Sequence, residues 1–190
     1  MSRAALVSIL LLAAGPALAQ ESPVCQPGQS VREEDPATGV VVQKTRLEPR
    51  PDRFDPLLIW TSDEPDSVML ALVGNGAILK YRECFDLTLL ADGRPIAVGK
   101  PEYNGGGSGG RVVEYVTADI TWHEAERLAA AKAIRYRICH DEFTADDAFV
   151  CQAREVIGSA AAWRKAKASG RGGEGLHPEI PRIRVVKHQR

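Results

Sequence analysis

The stretch Ser67–Val98 limits what this chain can become more than any other. Val68, Leu70 and Leu72 fall at every second position, and Gly74-Asn75-Gly76 breaks the run. Tyr81, Phe85, Leu87 and Leu89 then alternate with Arg82, Cys84, Asp86 and Thr88. A period of two puts one set of side chains on one face of a half-buried strand. Asp92-Gly93 follows, and Ile96 and Val98 continue the inward set. Asp-Gly between apolar runs marks a two-residue hairpin, because both residues tolerate positive φ and that turn matches the twist of the strands. Ser67–Val98 is therefore read as three strands of an antiparallel meander.

The flanking sequence extends the pattern. Leu57-Leu58-Ile59-Trp60 starts the folded domain, and Val40-Val41-Val42 forms an edge strand before it. Lys100–Gly110, with its glycine run, reads as a loop, and Val112, Val113, Tyr115 and Val116 as a strand. Thr121-Trp122-His123-Glu124 is a capping box that opens a helix through Leu128 and Ala130. Ile134, Tyr136 and Ile138 alternate with Arg135, Arg137 and Cys139 as a further strand. Thr144 opens a second helix, whose Phe149, Ala153, Val156, Ala160 and Trp163 make one apolar stripe. Ile183, Val185 and Val186 suggest a late edge strand. The expected fold is α+β: one antiparallel sheet of about five to six strands carrying two packed helices, with a β-sandwich and a peripheral helix as the alternative.

Four segments are expected. Residues 1–19 read as a secretory signal peptide: Arg3, an apolar run from Ala4 to Ala14, and Ala17-Leu18-Ala19 as a cleavage site. The run is too short to span a bilayer, and no other stretch qualifies. Residues 20–56 hold six of the 12 prolines and read as extended. Residues 57–163 form one folded domain, and residues 164–190 a basic tail containing glycines. Export is expected, and an Ala- and Arg-rich composition points to a bacterial periplasm.

Cys25, Cys84, Cys139 and Cys151 remain after cleavage, an even count that predicts two disulfides in an oxidising compartment. Three pairings are open. Cys139 and Cys151 straddle a turn, while Cys84 and Cys139 lie on polar strand faces from which they would pair across a sheet.

Charge divides the chain. Residues 20–163 hold 15 Lys+Arg against 23 Asp+Glu, and residues 164–190 hold 8 against 2. Arg164, Lys165, Lys167, Arg182, Arg184 and Lys187 of that tail, with Arg82, Arg135 and Arg137 of the body, are the candidate binding cations for an anionic envelope component. Nucleic acid is not the expected partner, because the tail lacks the aromatics on which bases stack. The tail also suits contact with the acidic body of its own chain. Arg82, Arg135 and Arg137 also suit ion pairs with Asp86 across neighbouring strands.

Motifs for chemistry fail on context. Gly106-Gly107-Ser108-Gly109-Gly110 matches G-x-S-x-G, but a nucleophile elbow needs a strand before it and a helix after it. The same run fits G-x-G-x-x-G without the helix N-terminus that a phosphate needs. His123-Glu124 begins H-E-x-x-H, yet position 127 is arginine. No catalytic residue, metal site or cofactor is assigned. Cys139, His140, Asp141 and Glu142 form the one cluster with acid–base potential, but neighbours on a strand point to opposite faces. The sequence is thus read as a non-catalytic exported module that binds another protein or an envelope component. The alternatives are a small envelope hydrolase using His140 with Asp141 or Glu142, and a structural subunit of an envelope assembly.

Overall fold

The computed structural model describes residues 23–26, 28–47, 50, 53–108 and 110–170. They form two antiparallel sheets and two helices, an α+β fold. The first sheet has six strands: β1 (Val31–Glu34), β2 (Val41–Lys44), β3 (Phe54–Thr61), β4 (Ser67–Gly76), β7 (Glu102–Ser108) and β8 (Arg111–Thr121). Their spatial order is β1-β2-β3-β4-β8-β7. The second has four: β5 (Leu87–Ala91), β6 (Arg94–Ile96), β9 (Ile134–Ile138) and β10 (Asp141–Thr144), in the order β10-β9-β5-β6. The helices are α1 (Trp122–Ala130) and α2 (Asp147–Ala168).

Strand β4 carries apolar residues on both faces and is paired with β3 and β8 along most of its length. Val68, Leu70 and Leu72 join Leu58, Trp60, Val116 and Ile120 on the inner face. The second sheet and both helices cover that face. Fully buried Leu, Ile and Val side chains of this kind contribute about 1.5–3 kcal/mol each. Strand β8 runs straight into α1, and Thr121 at the junction accepts a hydrogen bond from the Glu124 N–H at 3.4 Å. The α2 stripe seats Phe149, Ala153, Val156 and Ala160 in the core, and Trp163 meets Trp60 edge-on at 5.4 Å. The β5–β6 hairpin turns at Asp92 (φ 49°) and Gly93 (φ 76°), both left-handed as that turn demands. The Asp92 carboxylate accepts from the N–H groups of Lys132 and Ala133 at 2.9 Å, which ties the hairpin to the start of β9.

Several expectations change. The strands separate into two sheets rather than one. Strand β4 pairs with β8 from Ser67↔Thr121 to Gly76↔Val112, so no edge of β4 is left for the segment after it. That segment crosses to the second sheet, and only Leu87–Ala91 of the expected long strand is a strand. Tyr81 turns inward instead, with its ring edge-on to Phe54 at 4.7 Å. The glycine run is not a loop: Asn104–Gly107 pair with β8 as part of β7. A Cβ at Gly105 would collide with the Tyr103 hydroxyl, which Glu114 holds in place. Thr144 belongs to β10, and the cap of α2 is Asp146, whose carboxylate accepts from the Phe149 N–H at 2.9 Å. Glu124 pairs with Arg127 at 2.7 Å instead of closing the capping box. The expected domain start at residue 57 falls inside β3. Strands β1 and β2, earlier in the chain, belong to the same sheet, with β1 as its edge. The expected strand near residues 183–186 lies outside the described residues.

Candidate functional site

Two disulfides, Cys25–Cys151 and Cys84–Cys139, account for all four cysteines. They fit an oxidising, extracytoplasmic compartment. The first fastens the N-terminal segment to α2. Glu155, one helical turn further on, adds a second hold. Its carboxylate accepts from the N–H groups of Gly28, Gln29 and Ser30 at 2.8, 2.9 and 2.8 Å. Arg154 caps α1 by donating to the carbonyls of Ala129 and Ala131 at 3.1 and 2.7 Å. Among the described residues no helix is long and apolar enough to cross a membrane.

The His140 cluster does not converge. His140 is exposed at the β9–β10 turn, next to Cys139 with its left-handed backbone (φ 54°). Asp141 is the register partner of Ile138 on the inner side of the second sheet. Glu142 is the partner of Arg137 on the outer side. The Asp141 carboxylate accepts from the Tyr81 hydroxyl at 2.6 Å and pairs with Lys80 at 3.0 Å. The hydrogen bond from Tyr81, then the one from Lys80, holds it below the usual carboxylate range. An ionised, doubly occupied carboxylate is poorly suited to take a proton.

A polar network joins the sheets behind this turn. Glu114 of β8 is buried, at 4% exposure, and accepts from the Tyr81 N–H at 2.9 Å and the Tyr103 hydroxyl at 3.0 Å. Burial, then Asp141, pushes Tyr81 well above an ordinary phenol, and burial with Glu114 raises Tyr103. Tyr136 donates to the Phe54 carbonyl at 2.6 Å, and burial raises it to about 12. These groups are fixed and shielded, which suits structure. Among the described residues, no three His, Cys, Asp or Glu side chains gather to hold a metal ion.

The candidate cations divide. Arg164, Lys165 and Lys167 lie on α2 rather than in a tail. Arg164 is committed: it pairs with Asp66 at 2.8 Å, donates to the Pro65 carbonyl and lies over the Trp122 ring. Lys167 sits over Trp163, and Lys165 is exposed. Arg82 is in the irregular segment before β5, beside Glu83 at 3.9 Å. Arg135 and Arg137 stand on the outer face of the second sheet, opposite Leu90 and Thr88. Neither makes an ion pair among the described residues, so the expected pairing with Asp86 does not form. Arg182, Arg184 and Lys187 lie outside the described residues. A cleft of about 120 Å³ near the α2 start is lined by Arg46, Arg50, Asp55, Asp146 and Gln152. Its Arg50 already bridges Asp55 and Asp146.

No family model, curated protein or solved structure matches this chain. The remaining feature is the face of the six-stranded sheet turned away from the helices. Register places Leu57, Ala71 and Thr117 in one row, Ile59, Met69 and Asp119 in the next, and Val73 with Tyr115 beside them. Met69 is 37% exposed and Tyr115 is 40% exposed, Leu57, Ile59 and Val113 are half-buried, and Ala71 and Val73 are buried beneath their neighbours. Alternation marks one apolar face per strand, and this second face does not alternate. Its sequence signals are the runs Leu57-Leu58-Ile59-Trp60 and Met69-Leu70-Ala71-Leu72-Val73, which are apolar at every position.

Proposed function

We propose that this protein is an exported, periplasmic, non-catalytic module that binds another protein of the envelope through the outer face of its six-stranded sheet. The observation that supports this is the outer side of β3, β4 and β8, where Met69 and Tyr115 are exposed and Leu57, Ile59 and Val113 are half-buried around the buried Ala71 and Val73. Aromatic and methionine side chains at the middle of an exposed patch are the usual anchors of a protein interface. The rim carries Lys44, Glu102, Asn104 and Asp119, which suits a polar border. The complementary partner presents an apolar surface of its own.

The test is capture from envelope extract with wild type, Met69→Lys, Tyr115→Lys and the control pair Arg135→Ala with Arg137→Ala. The same protein retained by wild type and the control, but lost with both lysine variants, supports the assignment. Retention by all four removes this face from the binding account. Loss only with the arginine control moves the site to the second sheet and to an anionic partner.

A further inference from the structure

Strand β7 is an open edge of unusual make-up. The other three sheet edges are short and guarded. Strand β1 has four residues, including Arg32, Glu33 and Glu34; β6 has three, including Arg94 and Pro95; β10 has four, including Asp141 and Glu142. Charge, proline and shortness are the devices by which edges avoid pairing with another chain. Strand β7 runs for seven residues, and only Glu102 at its start is charged. Every second residue of an antiparallel edge turns its N–H and C=O outward. Among the described residues no backbone group of Tyr103–Gly107 bonds to anything besides β8. The glycines differ in their reasons. A Cβ at Gly105 would strike Tyr103, and one at Gly107 would stand 2.8 Å from the Arg111 carbonyl. A Cβ at Gly106 would meet nothing within 4 Å, so packing inside the chain does not call for a glycine there. A strand glycine facing open space marks a place where another backbone can approach.

We propose that β7 is a homodimer seam, against which a second copy of this chain lays its own β7 antiparallel, about a two-fold axis through Gly105. This is the one register that pairs all seven residues. It is self-complementary, as a two-fold interface must be. Tyr103 falls opposite Gly107 of the second copy, and Asn104 opposite Gly106, so each larger side chain meets a glycine. Glu102 falls opposite Ser108 of the second copy. Ser108 is the register partner of Arg111, so Arg111 of the second copy lies two strands from Glu102 on the same face, about 10 Å between backbones and within reach of two long side chains. Both are exposed, and neither has an ionic partner among the described residues. Symmetry supplies this pairing twice. The two six-stranded sheets become one, and their outer faces run together. The inference stands apart from the binding role proposed above.

Sedimentation velocity of the oxidised protein over a concentration series tests it. A monomer–dimer equilibrium is expected. Glu102→Arg should weaken it by about tenfold, through two lost attractions and two new repulsions. Adding Arg111→Glu to Glu102→Arg should restore it. Gly106→Glu, which the single chain accommodates in open space, should also weaken the dimer, because it sets like charges diagonal to one another and to Glu102 of the second copy. A monomer at every concentration overturns the proposal. So does a dimer that neither variant weakens, with circular dichroism showing each variant folded.

Discussion

Replacing Cys25 and Cys151 together by alanine removes the bridge that spans 126 residues. The Cys84–Cys139 bridge lies inside it and spans 55. With that inner bridge intact, the unfolded chain closed by the outer one has an effective loop of 126 less 55, or 71 residues. Loop-closure entropy for a ring of that size gives about 4.4 kcal/mol at 25 °C, against about 4.9 for a loop of the full length. Cys151 is buried and alanine leaves only a small void, so most of the loss acts on the unfolded state. Urea unfolding should therefore show two changes. Stability falls by about 4 kcal/mol, a drop in Tm of roughly 10 °C for a domain of this size. The slope m rises, because the freed chain exposes more surface when unfolded. The Glu155 carboxylate still holds residues 28–30 against α2, so the native fold survives. A loss under about 1 kcal/mol with unchanged m would refute this reasoning. Non-reducing peptide mapping that joined Cys139 to Cys151 would refute the pairing itself.

Three further outcomes are expected. Glu114→Leu strands two donors, the Tyr81 N–H and the Tyr103 hydroxyl, and should cost about 2–4 kcal/mol in urea unfolding, whereas Glu114→Gln keeps an acceptor and should cost far less. Asp141 is held below its ordinary range in the folded state, so its stabilisation is present above the unfolded carboxyl's pKa and is lost as pH falls through the folded one; between pH 6 and 3 wild type should lose more stability than Asp141→Asn, and parallel curves would contradict this. Tyr136, raised to about 12, gives stability that is full below an ordinary phenol pKa and lost as pH rises through about 12; titration of phenolate absorbance should show it ionising late, and ionisation of all four tyrosines together near pH 10 would contradict this.

The elements legible in the chain are those whose cause is local. Asp92-Gly93 makes its turn because those two residues accept positive φ, wherever the hairpin later packs. Ile134, Tyr136 and Ile138 bury one strand face because alternate side chains point the same way, and the Phe149–Trp163 stripe follows helical spacing in the same manner. Thr121 caps its helix through a bond three residues long. Four cysteines, an even count, announce two bridges.

Tertiary structure decided what depends on distant partners. The segment after Gly76 alternates well enough to read as a strand beside β4, but β8 takes that edge along ten residue pairs and sends it to another sheet. The glycine run carries no strand signal of its own and is a strand because β8 offers it a ladder. Cys84 meets Cys139 because the irregular segment before β5 ends against the β9–β10 turn, a contact that local spacing does not encode. His140, Asp141 and Glu142 are adjacent in the chain and yet dispersed, since the pleat turns Asp141 inward to Tyr81 and Glu142 outward to Arg137. The exposed Met69–Tyr115 face exists only because both helices and the second sheet collect on the opposite side. Periodicity says which residues share a face; only packing says which faces are covered.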